Sequence, residues 1–385
     1  MNIRSCAYLC RMKKVGILGG GQLGRMLLQA AANYPVETWL MEAAPEAPAA
    51  HLCHYFVCGD ITNYDEVYAF GKELDVLTIE IENVNVEALE QLEQEGVKVY
   101  PNPNALRVIQ NKILQKEFYA ANDIPGSAFV ITQNQSDLHQ YLDFLPAIHK
   151  LGMGGYDGRG VQLINAANDI PLGFDQPSVL EKKIDIAKEI AILVAVATSG
   201  ETILYPAVEM IFDTDLNQLS HQLCPAALQQ KILWKAEAIA RRAVQGLRSP
   251  GLFAVEMFVD HNDQVLINEV APRVHNSGHH TIEAHYCSQF DMLWRILLEL
   301  PLGNTAAIMP SAMVNLIGSE NESGLAHYHG LNETMKMENV FVHLYGKWET
   351  KPGRKMGHVT IISQDKLDLS HKVNIIRHQF FVKAK

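Results

Sequence analysis

The sequence predicts an α/β first domain followed by an α+β remainder, and three observations lead there. Short apolar strands alternate with helical stretches over residues 13–100, the pattern of a parallel, doubly wound sheet. Beyond residue 147 the texture changes to strands separated by turns. A chain of 385 residues also exceeds what one compact core organises, so two or three domains are expected.

Residues 15–18, β-branched and apolar, read as the first strand. The glycines of 19–24 follow, then a helix over 25–33 built on Met26, Leu27, Leu28, Ala30 and Ala31. Residues 37–41 form a second strand. Asp60 to Asn63 offer a turn and cap for a helix over 64–74, and 76–81 a third strand. A helix over 86–94 and a strand over 97–100 close the unit near Pro101-Asn102-Pro103, and one helix then runs from about 105 to 122. Strands are predicted at 147–150, 161–164, 179–183, 189–197 and 202–209, with a long helix over 229–246. Residues 252–259 and 264–269 form a hairpin around Asp260-His261-Asn262-Asp263. A helix over 289–300 precedes strands at 312–317, 340–343 and 357–362. There is no internal repeat.

Composition narrows the function. With 48% hydrophobic and 19% charged residues the chain is too apolar to be disordered. Its net charge of -11, from 43 acidic and 32 basic residues, excludes a broadly cationic nucleic-acid binder but not a small anionic ligand. No run approaches the roughly 20 apolar residues of a membrane helix; the longest, 190–197, reads as a buried strand. Residues 1–11 lack a signal-peptide core and stand before Met12-Lys13, so they read as an extension outside the fold. The six cysteines form no framework: Cys6/Cys10 and Cys53/Cys58 have the wrong spacing for paired zinc ligands, and Cys224 and Cys287 stand alone. Reduced thiols in the cytosol are expected.

Gly19-Gly20-Gly21-Gln22-Leu23-Gly24 matches G-x-G-x-x-G between a strand and a helix, and Glu42 ends the second strand where a ribose-binding acid belongs. On these residues alone a nicotinamide-dependent dehydrogenase is a fair hypothesis. The physics is broader: glycine N–H groups at a helix N-terminus suit any phosphate, and a ligand-free tight turn is the bland alternative.

A second loop, from Lys150 to Gly160, holds five glycines in eleven residues between two strands. It is no Walker loop, but a lysine before it and an arginine inside it suit a lid over a polyphosphate; an exposed hairpin is the alternative. Glu256 interrupts an apolar strand, and Asn268-Glu269 end the next. Two acids and an amide at sheet positions are costly to bury without a cation, and Mg²⁺ takes such oxygen ligands; two surface acids are the alternative. Arg273, His275, Asn276 and Ser277 then crowd one loop, a density that packing alone seldom needs. Lys347 and Arg354-Lys355 bracket Pro352-Gly353 and could clamp a phosphate, or form a solvated basic turn.

Together these residues resemble ATP-grasp enzymes and, more narrowly, the N5-carboxyaminoimidazole ribonucleotide synthetase family, the phosphoribosylaminoimidazole carboxylase ATPase subunits of purine biosynthesis. The match runs from about residue 13 to 362 and includes Gly24-Arg25-Met26, Ile81-Glu82-Asn83-Val84, Leu300-Pro301-Leu302-Gly303 and Asn315-Leu316-Ile317-Gly318. The strings His275-Asn276-Ser277-Gly278-His279 and Pro352-Gly353-Arg354-Lys355-Met356-Gly357-His358 are specific to this family within the superfamily.

The resemblance implies an ATP-grasp fold: a doubly wound pre-grasp domain over 12–112, a small lid domain over 113–196, and a larger C-terminal mixed-sheet domain over 197–385. ATP would lie between the last two. Lys112 and Lys150 match phosphate-contacting positions, and Gly154, Gly155, Tyr156, Asp157, Gly158, Arg159 and Gly160 the lid loop. Glu181, Lys182, Lys183 and Ile184 match the adenine-reading segment, and Glu189 a ribose-binding acid. Glu256 and Glu269, with Asn268 beside them, match the Mg²⁺ site. Gly21, Gln22, Leu23, Glu82, Asn83, Tyr156, Asp157, Arg273, Lys347 and Arg354 match positions around aminoimidazole ribonucleotide. Arg273, His275, Asp157, Asn276 and Ser277 match the catalytic set.

The implied reaction joins ATP, bicarbonate and aminoimidazole ribonucleotide, through carboxyphosphate, into N5-carboxyaminoimidazole ribonucleotide, ADP and phosphate. A cytoplasmic homodimer without nucleic-acid or membrane partners is also implied. The sequence departs from the family in Leu151-Gly152-Met153, in Lys112 where arginine is common, and in its tail after residue 362. The alternative is another ATP-grasp ligase, such as a formate-dependent glycinamide ribonucleotide transformylase, which gives no reason for His275-Asn276-Ser277-Gly278. A nucleotide-binding regulator without turnover is the non-enzyme reading.

Overall fold

Five short strands form one parallel layer, in the order Tyr55–Cys58, Val36–Glu42, Lys13–Leu18, Val76–Ile79, Lys98–Val99. Val15, Ile17, Leu18, Val76 and Leu77 are fully buried, because helices cover both faces of such a sheet. The chain reverses its direction of winding between Lys13–Leu18 and Val76–Ile79, and a crevice opens there at the strands' C-terminal ends. The first glycine loop lies in that crevice. In this computed structural model residues 12–155, 160–213 and 218–385 are described. The expected extension over 1–11 and the lid-loop positions Tyr156, Asp157, Gly158 and Arg159 lie outside them.

The single helix expected over 105–122 is two, Pro103–Gln110 and Lys112–Ala121. Asn111 leaves helical geometry (φ -112°, ψ 111°), and its side chain accepts from the N–H groups of Ile113 and Leu114. An N-cap asparagine competes with helix continuation, and here it sets Lys112 at the head of the second helix. A four-stranded antiparallel sheet follows, in the order Phe129–Thr132, Ser178–Lys182, Ala147–Leu151, Val161–Ile164.

The largest sheet has nine strands. Val265–Ala271, Gly251–Asp260, Ile186–Val196, Val208–Asp213, Gln218–Cys224, Ser311–Ile317, Lys355–Ile362 and Val340–Leu344 run in that order, with Thr202–Leu204 beside Ile186–Val196. Every pair is antiparallel. Ile186–Val196 therefore belongs to this sheet, not with the lid where a boundary at 196 would put it. Its apolar residues pair along almost their whole length with Gly251–Asp260. The strand expected over 202–209 divides at Tyr205 into two.

Helix Gln230–Gly246 covers one face of this sheet. Ile232, Ala236, Ile239, Ala240, Ala243 and Val244 pack on Ile190, Ile192, Val194, Val255 and Met257. Strand side chains alternate between faces, so Glu189 and Glu256 point the other way, toward the first domain. Helix Gln289–Leu297 lies on that side, and the indole N–H of buried Trp294 donates to the Leu27 carbonyl at 2.7 Å. The chain does not end its structure at 362: helix Lys366–Gln379 follows, and Phe381–Ala384 pairs with Gly324–His329. No helix among the described residues is long and apolar enough to cross a membrane.

Candidate active site

The first glycine loop is filled by the protein's own carboxylates. The Gly20 N–H donates to Glu42 Oε2 at 2.9 Å and the Leu23 N–H to Glu80 Oε1 at 3.1 Å. Glu80 is buried, which pushes its carboxyl up even though Arg273 and the loop's N–H groups oppose that. A Cβ at Gly21 would stand 2.6 Å from Glu80 Oε1, and one at Gly19, where φ is +102°, 2.8 Å from Glu80 Oε2. These glycines make room for a carboxylate. A dinucleotide pyrophosphate would meet two acids where it needs free donors, which removes the dehydrogenase reading.

Glu80 was not anticipated, although a charged residue closing the apolar run 76–79 was a signal. Gly21 and Gln22 line the loop half-buried, Leu23 is buried, and Asn83 is exposed on the next turn.

Four elements converge above the large sheet. Glu256 and Glu269 are cross-strand partners on Gly251–Asp260 and Val265–Ala271. Lys112 Nζ, from the head of its helix, lies 3.0 Å from Glu269 Oε2. Lys150 Nζ, from the strand Ala147–Leu151 of the four-stranded sheet, lies 3.2 Å from Asn268 Oδ1 and 3.0 Å from Glu181 Oε1. Lys116 Nζ reaches the other Glu181 oxygen at 2.7 Å, with both side chains almost wholly buried. Burial alone would raise Glu181, but Lys150 and Lys116 outweigh it and hold the carboxyl below its ordinary range. Lys116 sits one turn after Lys112 on the same helix face, the signal that could have found it.

The acids differ in state. Lys112 holds the Glu269 carboxyl down. Burial, then the charge of Glu269 and Glu189, pushes Glu256 up. Burial likewise lifts Glu189 to about 7. Glu256, pushed toward its protonated form beside the ionised Glu269 and the Asn268 amide, completes an oxygen set that fits Mg²⁺.

The loop after Ala271 brings its polar groups to the same place. Arg273 Nε pairs with Glu82 Oε2 at 2.6 Å, bridging the first domain and the large sheet. His275 Nε2 lies 3.4 Å from Glu256 Oε1, while His275 Nδ1 lies 2.9 Å from Ser277 Oγ. Gln289 clamps His275 through both main-chain groups at 2.8 Å. Asn276 and Asn315 exchange amide hydrogen bonds at 2.9 and 3.1 Å. Gln289 and Asn315 lie far along the chain from the residues they hold; Asn315 stands in one of the strings shared with the family, but nothing local marks what either one holds.

Other expected positions are engaged elsewhere. Lys182 Nζ donates to the Phe144 and Leu145 carbonyls, and the Lys183 N–H to the Pro146 carbonyl. Lys347 Nζ donates to the Lys355 carbonyl at 2.8 Å and lies 5.8 Å from the centre of the Tyr345 ring. Arg354 Nη1 donates to the Glu349 carbonyl at 2.9 Å. Gly154 and Gly160 have φ of +80° and +79°, backbone that glycine adopts without strain.

Three family models match in sequence. Residues 12–110 match a ribonucleotide synthetase preATP-grasp domain, 117–290 an ATP-grasp domain, and 311–372 a phosphoribosylaminoimidazole carboxylase C-terminal domain. The chain is 33% identical to the phosphoribosylaminoimidazole carboxylase of Ogataea methanolica, over 94% of this chain and 68% of that protein. It spans about two thirds of the length of the fungal and plant carboxylases it resembles. It is 30% identical to the N5-carboxyaminoimidazole ribonucleotide synthase of Staphylococcus aureus, over 91% of this chain and 93% of that one. The crystal structure of the Thermotoga maritima N5-carboxyaminoimidazole ribonucleotide synthetase superposes with a TM-score of 0.88 at 34% identity, covering 97% of this chain and all of that one. The Aspergillus clavatus enzyme, crystallised with ADP and 5-aminoimidazole ribonucleotide, gives 0.86 at 31% identity over 96% and 99%.

Proposed function

The chain belongs to the N5-carboxyaminoimidazole ribonucleotide synthase family of ATP-grasp ligases, and on that footing we propose that it carboxylates aminoimidazole ribonucleotide with ATP and bicarbonate in purine biosynthesis. One observation carries the reading to the residues: Lys112 from the first helix pair and Lys150 from the lid meet Glu269 and Asn268 of one strand within 3.2 Å. Cations and oxygen ligands are thereby gathered where a polyphosphate can lie between lid and sheet.

Bicarbonate is a poor electrophile, so its oxygen first takes the γ-phosphoryl group of ATP, giving carboxyphosphate and ADP. Lys112 and Lys150 stabilise charge on the transferred group. Mg²⁺, held by Glu256 and Glu269, would neutralise more of that charge. The segment Glu181 to Ile184 presents main chain to adenine, and Glu189 accepts from ribose hydroxyls. Arg273 holds carboxyphosphate, which breaks its C–O bond to give CO₂ and phosphate. The substrate amine attacks CO₂ and loses one proton, with Asp157 and His275 as the available bases. The lid loop from Gly154 to Gly160 keeps CO₂ from water. Lys347 and Arg354 hold the ribotide phosphate, Ser277 keeps His275 in place, and Asn276 belongs with them to the catalytic set around bicarbonate and the ribotide. Gly21, Gln22, Leu23, Glu82 and Asn83 line the ribotide's other side. The reading extends to a cytoplasmic homodimer, a state that sedimentation measures.

The test is phosphate release from ATP, Mg²⁺ and bicarbonate, with and without aminoimidazole ribonucleotide. We expect release to rise with the ribonucleotide. No rise, or a demand for formate in place of bicarbonate, removes the assignment.

A further inference from the structure

Away from that cleft, three metal-ligating side chains meet inside the protein. Cys224 ends the strand Gln218–Cys224, while His280 and His285 flank the short helix Thr281–Ala284. Their donor atoms, one sulfur and two imidazole nitrogens, all lie within 4.8 Å of one another. All three residues are buried, at 3%, 2% and 4% exposure, so the cluster is no solvated surface group.

Several polar atoms around this cluster have no hydrogen-bond partner among the described residues. Among the described residues neither ring nitrogen of His285 has a hydrogen-bond partner, and His280 Nε2 has none. Gln222 Nε2 lies 2.8 Å from His280 Nδ1 and also donates to the Ser277 carbonyl; ligation through His280 Nε2 puts the ring proton on Nδ1 and turns the Gln222 amide so that its Oε1, which lacks a partner among the described residues, accepts that proton. The hydroxyl of Ser311, the cross-strand partner of Cys224, also lacks a partner. Burying a polar atom without a partner is costly, and such groups in folded proteins mark a missing water or ion. Tyr205 packs beside His285 at 5.7 Å between ring centres, and the two imidazoles meet edge-on at 5.0 Å.

We propose that Cys224, His280 and His285 form a binding site for a zinc-class cation, separate from the Mg²⁺ site. One thiolate and two imidazoles suit zinc or copper(I), whereas magnesium prefers oxygen. Tetrahedral zinc, with bonds of about 2.3 Å to sulfur and 2.0 Å to nitrogen, sets its donors about 3.5 Å apart, so side chains close in by about an ångström. Water or the Ser311 hydroxyl supplies the fourth ligand. Ligation replaces the S–H bond of Cys224 by a sulfur–metal bond and releases the proton to solvent. The bound ion ties the strand Gln218–Cys224 to the segment that begins with Arg273 and His275, bracing the proposed catalytic loop from behind.

Cobalt(II) tests this, because thiolate ligation gives it a charge-transfer band in the near ultraviolet. Chelator-treated protein, brought to equilibrium with Co²⁺, is expected to bind about one ion per chain and show that band, which Zn²⁺ then abolishes. Cys224→Ser is expected to lose the band while Cys53, Cys58 and Cys287 remain. Zn²⁺ is expected to raise the melting temperature of the unaltered protein by roughly 2–4 °C, and that of Cys224→Ser not at all. Should Cys224→Ser fail to fold, His285→Gln, which removes a ring without hydrogen bonds, is expected to weaken Co²⁺ binding at least about tenfold. No thiolate band, a band that survives Cys224→Ser, or unchanged affinity in His285→Gln overturns the site.

Discussion

Glu256 and Glu269 face each other across neighbouring strands, and their carboxyls are driven in opposite directions. Lys112 holds Glu269 ionised, while burial and the charge of Glu269 push Glu256 up. The pair is thus one committed anion beside one that a cation must recruit. Glu269→Gln keeps the shape but not the charge. We expect phosphate release to fall by roughly a hundredfold or more, with an unchanged circular dichroism spectrum. Near-normal turnover would remove Glu269 from the metal site.

Lys116 and Glu181 form a buried ion pair at 2.7 Å. Removing Lys116 leaves Glu181 with Lys150 as its remaining cationic partner at 3.0 Å, so Lys116→Met should cost less than a fully orphaned buried charge, about 1–3 kcal/mol in denaturant unfolding. The sign with pH follows from Glu181, whose folded carboxyl lies below its ordinary range. Its contribution is complete at neutral pH and is lost on acidification below the unfolded value of about 4.3. Lys116→Met should weaken that acid dependence; a stability within about 0.5 kcal/mol of the unaltered protein, the range of surface changes, would show the pair to be idle.

Glu189 runs the other way. Its carboxyl titrates at about 7 because of burial, above the roughly 4.3 of an unfolded chain. The folded state therefore binds the extra proton, and this residue's effect on stability turns unfavourable as pH rises from about 4.3 to 7. Glu189→Gln should remove that slope. The KM for ATP should rise below about pH 7 in the unaltered protein, as the ribose acceptor protonates, and stay flatter in the variant.

Arg354→Ala should chiefly raise the KM for aminoimidazole ribonucleotide, by about 10- to 100-fold for one lost charged hydrogen bond. An unchanged KM in steady-state assays would locate the ribotide phosphate elsewhere.

Gly21→Ala sets a methyl group 2.6 Å from Glu80 Oε1. Overpacking of this kind costs about 1–3 kcal/mol, read as a lower melting temperature. A variant as stable as the parent would mean that Glu80 can move aside.

Much of the fold was legible because its signals are local. The hairpin around Asp260 to Asp263 and the helix Val86–Gln94 follow from apolar period and turn residues. The edge strand Tyr55–Cys58 was not read from the sequence, because its apolar run is only four residues long, too short to separate from the loop before it, and its two end residues are exposed at the sheet edge. The break at Asn111 was missed because a cap inside a run of helix formers competes only weakly with the pattern around it. In the site, Lys150, Glu256 and Glu269 stood out as charges in apolar or glycine-rich settings, while Lys112 came only through the family resemblance. Glu80, Lys116, Gln289 and Asn315 act on residues far away in the chain.

The sequence by itself determined the alternation of strands and helices, the family and the residue types of the cleft, because periodicity and motif spacing are properties of neighbours in the chain. It could not decide what the first glycine loop holds, since G-x-G-x-x-G states only that backbone comes close to something. Tertiary structure put Glu42 and Glu80 there. Nor could spacing pair Cys224, which looked solitary, with His280 and His285. Strand register and helix packing bring those side chains together, and both are fixed by burial across the whole fold rather than by any stretch of it.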